Sequence, residues 1–413
     1  MMKNIIKKEH IFLLITSLLL LATALSFMDR QILSVSIIKI KDELSVTDTE
    51  YGFINAGFLI SYAVMFTVGG ALIDRFGSRK GLAISVGFWS LATTLHALSA
   101  NAFHFGFFRF LLGAGEGGCF PGVIKAVTEW IAPKRRAVAN GIAIGGSAIG
   151  AVVAVPLCAY ALYYMNWRYL FLFSGILGFI WLFFWLKTTA KISSAVSGMK
   201  HHPVKKRNMF HDIQELLKNR DAGTFIVIRF LLDPIFYFYM FWIPKYLNEV
   251  KGVSLDYIGD YLWIPFLALG IANIMGGWLS DLLYRIKEDV NFARKANMGV
   301  AAFLTLPVLF VGVINSPELI IIVMSLAFFA HGIWITNYIT SIGDIFGKEK
   351  SSTVVGLSGS AGAVSSLVIN PLIGIIIASF SYKPLWIYSG IMYPVAFFIF
   401  MLFLPDINRK SAE

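Results

Sequence analysis

The chain has 413 residues, of which 57% are hydrophobic and 14% charged, with a formal net charge of +11 and a mean hydropathy of +0.72. Soluble domains carry about 25% charged residues, so this composition excludes an ordinary water-soluble protein and points to one embedded in a bilayer. Apolar runs near twenty residues indicate helical spans rather than a β-barrel, whose strands would read as short alternating segments. The basic excess does not indicate nucleic acid, because the basic residues gather in loops between apolar runs.

Lys3, Lys7 and Lys8 followed by apolar Ile11 to Phe27 resemble a cleavable leader. The apolar run resumes after Asp29-Arg30 through Ile40, however, and cleavage would delete half a span, so the segment is expected to remain as the first span. Twelve spans can be counted, at roughly 10–40, 51–73, 80–99, 103–128, 137–163, 168–187, 222–247, 256–282, 295–314, 318–343, 352–379 and 384–404. A polar stretch, 188–221, containing His201-His-Pro-Val-Lys-Lys-Arg207, separates spans six and seven. It divides the chain into an N-terminal six-helix half (1–187), a cytoplasmic linker (188–221) and a C-terminal six-helix half (222–413).

With the N-terminus in the cytoplasm, 25 of the 35 Lys and Arg residues fall in inside segments. The outside segments hold Lys39, Lys41, Arg168, Lys245, Lys251 and Lys383, while Arg30, Arg109, Lys125 and Arg229 lie within spans. This asymmetry places both termini inside. The halves also repeat. Gly141, Pro156, Ser174 and Gly175 shift by 215 positions onto Gly356, Pro371, Ser389 and Gly390, and Gly69, Gly70 and Asp74 shift by 207 onto Gly276, Gly277 and Asp281. The expected fold is therefore an all-α membrane protein of two six-helix halves related by pseudo-two-fold symmetry, with solute bound between them near the midplane.

Span four carries Arg109-Phe-Leu-Leu-Gly-Ala-Gly-Glu116, an arginine and a carboxylate seven residues apart in an apolar, glycine-rich segment. Seven residues is about two helical turns, so both side chains share one face. Charges inside a bilayer cost a few kcal/mol each and face a partner, a cavity or a substrate. Arginine offers a planar fork suited to carboxylates, and a carboxyl in an apolar helix can exchange protons. A static Arg109–Glu116 pair is the structural alternative. Asp29 and Arg30 in span one point about 100° apart on a helix, so one of them is expected to pair with another helix. Arg229 and Asp233 are four apart, the spacing of an intrahelical ion pair. His331 is the repeat-equivalent of Glu116; with Tyr62, Asn337, Tyr338 and Ser360 it offers polar groups suited to a polyol. Cys119 and Cys158 lie in apolar segments with no disulfide expected between them. No metal cluster is legible, nor is any nucleophile–base pair or phosphate loop, so an enzyme is not expected.

Gly70-Ala-Leu-Ile-Asp74-Arg75-Phe-Gly77-Ser-Arg79-Lys80, between spans two and three, resembles the loop signature of the major facilitator superfamily, departing from it at Ser78. The resemblance implies that Asp74, Arg75 and Arg79, with Glu129, Arg136 and the repeat-related Asp281, serve the cytoplasmic gate. Phe27-Met-Asp29-Arg30-Gln-Ile-Leu-Ser-Val, Arg109…Glu116…Pro121 and Arg229-Phe-Leu-Leu-Asp233-Pro…Trp242-Ile-Pro244 are similar to the anion:cation symporter branch of that superfamily, in particular to bacterial hexuronate and galactonate permeases and to the sialin and vesicular glutamate transporter group. That resemblance implies that Arg30 and Arg109 bind a carboxylate and Asp29 and Glu116 carry protons. It also implies neighbouring contacts from Tyr62, Ser147, His331 and Ser360. Phe27 and Ser147 depart from the galactonate permeases, which have tyrosine and glutamine there. The expected function is import of a small organic anion, a sugar acid such as a hexuronate or an aldonate, by proton symport with alternating access. No cofactor is expected; the coupling ion is a proton, with sodium as the alternative. A monomer in the bilayer of a bacterial inner membrane, without nucleic acid, completes the expectation. Alternatives are another anion (an amino acid, a phosphorylated metabolite or an aromatic acid) or, from a different class, a membrane-bound solute sensor.

Overall fold

The computed structural model describes residues 2–131, 136–196, 209–404, 406 and 407, and no β-strand occurs among them. Fourteen α-helices follow in order: α1 Met2–Leu44, α2 Asp48–Phe76, α3 Ser78–Leu95, α4 Ala102–Glu116, α5 Cys119–Trp130, α6 Arg136–Tyr164, α7 Trp167–Val196, α8 Met209–Lys218, α9 Arg220–Lys251, α10 Leu255–Tyr261, α11 Trp263–Lys287, α12 Val290–Leu304, α13 Pro317–Phe380 and α14 Lys383–Phe403. Each of the twelve spans expected from the sequence is occupied by helix. Nine of these segments, among the described residues, are individually long and apolar enough to cross a membrane. The other three are α2, the broken pair α4 and α5, and α12 with the 3-10 turn Leu306–Phe310 that follows it.

The chain divides into two compact units, Met1–Lys205 and Lys206–Glu413. The polar stretch 188–221 receives the end of α7 and carries α8, while its residues 197–208 lie outside the described residues. In the first unit α1 lies along α6 and α7, α2 along α4, and α3 against both α4 and α7. In the second, α13 packs against α9, α11 and α12, and α14 against α9.

Local chemistry sets the ends of these helices. Thr47 and Glu50 form a reciprocal capping box at the start of α2: the Thr47 hydroxyl accepts from Glu50 N–H, and the Glu50 carboxylate accepts from Thr47 N–H at 2.8 Å. Such a cap is worth about 1 kcal/mol. The side chains of Asn101, Asn219 and Ser316 accept from first-turn N–H groups of α4, α9 and α13, without the reciprocal contact. The long α13 is interrupted at Gly347, whose φ of 62° is the left-handed region that glycine enters without strain.

Span four is not one uninterrupted helix. α4 ends at Glu116, Gly117–Gly118 form the break, and α5 resumes at Cys119. The glycines are there because neighbouring backbones press on them. A Cβ at Gly113 would lie 2.2 Å from the Phe58 carbonyl oxygen, one at Gly115 2.6 Å from Trp89 Cβ, and one at Gly117 2.7 Å from Met65 Cβ. Each of those separations is below contact distance. The glycines of span four therefore bring α2 and α3 close enough to hold Glu116 in a site with no measurable exposure.

Candidate functional site

The first unit gathers the charged residues of spans one and four. Arg30 on α1 is 3% exposed and Glu116 on α4 fully buried, and they form an ion pair. Arg30 Nε donates to Glu116 Oε2 at 2.9 Å, Arg30 Nη2 lies 2.9 Å from the same oxygen, and Ser26 Oγ donates to it at 2.8 Å. Ser26 precedes Arg30 by one helical turn, which places both donors on one face of α1. Both hydrogen bonds, from Arg30 Nε and Ser26 Oγ, converge on Oε2, with Nη2 in ion-pair contact with the same oxygen. Glu116 Oε1 is buried with no hydrogen-bond partner among the described residues.

Aromatic rings wall the guanidinium. Arg30 Cζ lies 4.6 Å from the Phe27 ring centroid, 4.8 Å from that of Tyr62 and 5.0 Å from that of Phe58. Cation–π attraction and carboxylate pairing together offset the cost of burying this charge. Phe27, the position that departs from the galactonate permeases, thus presents an apolar ring to Arg30 and no hydroxyl. Phe58 also faces the second arginine, whose Cζ is 5.7 Å from its centroid.

Arg109 is 1% exposed, and its Nε and Nη2 have no hydrogen-bond partner among the described residues. The static Arg109–Glu116 pair considered from the sequence is not what forms, because Glu116 is engaged by Arg30, 86 positions away in the chain. Asp29 points to the other side of α1, as the 100° offset requires. Its Oδ2 accepts from Thr93 Oγ1 on α3 at 3.1 Å, and its Oδ1 accepts from Ser174 Oγ on α7. The adjacent carboxylate and guanidinium of span one therefore serve different helix interfaces.

The remaining expected contacts divide by surroundings. Tyr62 is buried against Arg30. Ser147 is half-buried and donates to its own helix at Ile144 O, 2.7 Å away. In the second unit, His331 is buried, stacks on Phe236 at 4.4 Å and shares a 2.6 Å hydrogen bond between Nδ1 and the Tyr393 hydroxyl. Asn337 Nδ2 donates to Gly276 O at 3.1 Å and to Ile333 O at 2.9 Å, tying α13 to α11, while its Oδ1 has no partner among the described residues. Ser360 is half-buried on α13, and Tyr338 donates to Phe225 O at 2.7 Å. Arg229 and Asp233 form the intrahelical pair their spacing predicts, with Nη2–Oδ2 and Nε–Oδ1 both 2.7 Å.

At the expected gate, Glu129 accepts from Ser78 N–H at 3.2 Å and from Ser78 Oγ at 2.5 Å, with Lys125 Nζ at 3.8 Å. A carboxylate thus caps the first residue of α3, where helix N–H groups lack internal acceptors. Ser78, the departure from the loop signature, is what makes this contact. Arg75 and Asp281 are exposed and Arg79 is half-buried, its carbonyl accepting from Trp185 Nε1 at 3.0 Å. The side chains of Asp74 and Arg136 lie outside the described residues.

Two groups were not singled out from the sequence as site residues. Ser26, Thr93 and Ser174 act as hydroxyl donors to the buried carboxylates; in the sequence Ser174 stands out only as a repeat position, and Ser26 only by its one-turn offset from Arg30. In the second unit Arg294 Nε donates to Asp344 Oδ2 at 3.0 Å and Arg294 Nη1 to Ser280 Oγ at 2.5 Å. A shift of 215 positions carries Arg79 onto Arg294 and Glu129 onto Asp344. No group of His, Cys, Asp and Glu among the described residues is arranged to hold a metal.

The chain is similar to known proteins along most of its length. A hexuronate transporter of Escherichia coli strain K12 is 27% identical over 383 residues, covering 90% of this chain and 88% of that protein. A probable galactarate/D-glucarate transporter, GarP, of the same strain is 27% identical over 438 residues, covering 98% of each. Among solved structures, a D-xylose-proton symporter superposes with a TM-score of 0.74 at 14% identity, covering 96% of this chain and 98% of that one, a likeness of fold. The sequence profile of the Major Facilitator Superfamily matches residues 19–370. This multi-pass, all-helical membrane protein belongs to the Major Facilitator Superfamily.

Proposed function

We propose that this chain is a secondary active transporter that imports a small organic anion, a sugar acid such as a hexuronate or an aldonate, by proton symport with alternating access. The observation that carries the reading is the unequal state of the two buried arginines. Arg30 is held by Glu116, whereas Arg109 presents buried donors with no partner among the described residues. Buried donors of this kind take up an acceptor, and a planar guanidinium matches a carboxylate.

Coupling follows from the Arg30–Glu116 geometry. Because its donors meet on Oε2, Glu116 can receive a proton on Oε1 without displacing any of them. Neutralising the carboxylate removes most of its attraction for Arg30, and an incoming carboxylate can then take the guanidinium fork. Loss of the proton restores the pair and expels the anion. Asp29 is the second proposed proton carrier; the Thr93 and Ser174 hydroxyls donate to it as a carboxylate and can rotate to accept from it as an acid. The sugar hydroxyls fall to Tyr62, Ser147, His331, Asn337 and Ser360. Gating falls to Asp74, Arg75, Arg79, Glu129, Arg136 and Asp281, joined by Arg294 and Asp344. The coupling ion is a proton rather than sodium, and the protein works as a monomer in a bacterial inner membrane with both termini cytoplasmic.

The sugar-acid transport named for the relatives supports this substrate class. The test is uptake of labelled D-glucuronate into proteoliposomes under an inward proton gradient, comparing wild type with Arg109→Ala. Accumulation that is lost in the variant is the expected result. Equal uptake by both proteins would remove Arg109 from the anion site; no uptake by wild type would turn the search to galactonate, glucarate, amino acids and phosphorylated metabolites.

A further inference from the structure

Pro234 sits inside α9, directly after Asp233. Proline has no N–H, so the carbonyl four residues earlier, that of Phe230, loses its helical donor. In a bilayer such an orphaned acceptor must be satisfied by a neighbour. Here the donor is a side chain from another helix: Ser365 Oγ on α13 donates to Phe230 O. The next carbonyl, Leu231 O, receives the Tyr388 hydroxyl of α14 at 3.0 Å in addition. Two neighbouring helices therefore hold the turn of α9 whose internal ladder Pro234 interrupts.

The Arg229–Asp233 pair straddles the same turn. It links the residue just before Phe230 to the residue just before Pro234, bridging the missing hydrogen bond from outside. Gly362 on α13 makes room for it. A Cβ at Gly362 would lie 1.9 Å from Asp233 Oδ2, and one at Gly359 would lie 4.0 Å from Arg229 Nη2. The carboxylate is thus seated on α13 backbone, one helical turn from Ser365.

We propose that residues 229–234 are a latched joint in α9, with Ser365 and the Arg229–Asp233 pair as positioning residues that hold its setting. Pro234 creates the joint, Ser365 supplies the donor that Pro234 lacks, and the ion pair clamps the turn. Arg229 on this account is committed to Asp233 and is not an anion ligand. Releasing the latch lets the segments on either side of Pro234 change their angle without breaking any further backbone hydrogen bond.

Hydrogen–deuterium exchange of the full-length purified protein reads this directly, and its readout does not depend on which solute is carried. Ser365→Ala should raise exchange in peptides covering 225–240 about tenfold, the effect of one buried carbonyl left without a donor. Peptides from α11 should be unchanged, and Ser365→Thr, which keeps the hydroxyl, should match wild type. Pro234→Ala restores the N–H that Phe230 O lacks. In the double variant Pro234→Ala, Ser365→Ala, protection should therefore return. The charge-exchanged variant Arg229→Asp, Asp233→Arg should likewise keep the protection that Asp233→Leu loses. Unchanged exchange in Ser365→Ala, failure of Pro234→Ala to rescue it, or a charge-exchanged protein as labile as Asp233→Leu would overturn the latch. If Ser365→Ala does not fold, the Asp233→Leu and charge-exchanged pair decides the question alone.

Discussion

Glu116→Met removes the carboxylate that Arg30 and Ser26 share while keeping roughly the same side-chain volume. It leaves Arg30, 3% exposed, charged and without its ion-pair partner. Breaking a buried pair from one side costs about 3–5 kcal/mol, because the stranded charge keeps its desolvation penalty. The rings of Phe27, Phe58 and Tyr62 remain within 5.0 Å of the guanidinium and return part of that cost, as a desolvated cation–π contact does. A net loss of about 3 kcal/mol is therefore expected. For a cooperative unit of about 200 residues this lowers the melting temperature by roughly 6–12 °C. Replacing both partners, Arg30→Met with Glu116→Met, removes the stranded charge and should restore stability to within about 1 kcal/mol of wild type, or exceed it. The assay is thermal unfolding in detergent, followed by the fluorescence of the buried tryptophans, on both single variants and the double. A Glu116→Met protein as stable as wild type, or a double variant no better than the singles, would refute the claim that these two residues hold each other's charge.

Gly113→Ala should destabilise the first unit by about 1–3 kcal/mol and reduce yield in the membrane, because its Cβ would meet the Phe58 carbonyl oxygen at 2.2 Å. Gly141→Ala has nothing within 4 Å of its Cβ and should be neutral or stabilising by up to about 1 kcal/mol; size-exclusion yield and melting temperature distinguish the two. Ser78→Ala removes the hydroxyl that donates to Glu129 but leaves the Ser78 N–H, so a loss of about 1 kcal/mol is expected in the same assay, with Glu129→Ala costing more. Glu116→Gln should retain exchange of labelled glucuronate across proteoliposomes while losing accumulation under a proton gradient, and equal loss of both would separate Glu116 from coupling.

Much of the fold was legible because bilayer physics leaves few choices. Runs of about twenty apolar residues have to be helices, and the Asp29–Arg30 neighbours have to diverge by about 100°, as they do toward Thr93 and Glu116. Arg229 and Asp233 were readable because a four-residue spacing is a local geometry. What was not legible depends on contacts between distant segments. Glu116 meets Arg30 rather than the nearer Arg109 because the Gly113–Gly118 backbone brings α4 against α2 and α3, and periodicity within α4 carries no information about that approach. The break at Gly117–Gly118 looks in sequence like further close packing. Pro234 stands in the quoted span-seven motif, yet nothing local says that a serine 131 positions on supplies the donor its carbonyl partner lacks. The Arg294–Asp344 pair falls between these cases, since the 215-position shift that relates spans five and six to eleven and twelve also carries Glu129 onto Asp344.

The central claim is that movement of the anion carries a proton through Glu116. The most direct measurement is intraliposomal pH, read by a trapped dye, when D-glucuronate is added outside proteoliposomes at zero initial gradient. Wild type should acidify the interior on addition, and Glu116→Gln should admit labelled anion by exchange without acidification. Anion entry by wild type with no change in internal pH, or acidification that persists in Glu116→Gln, would contradict the account.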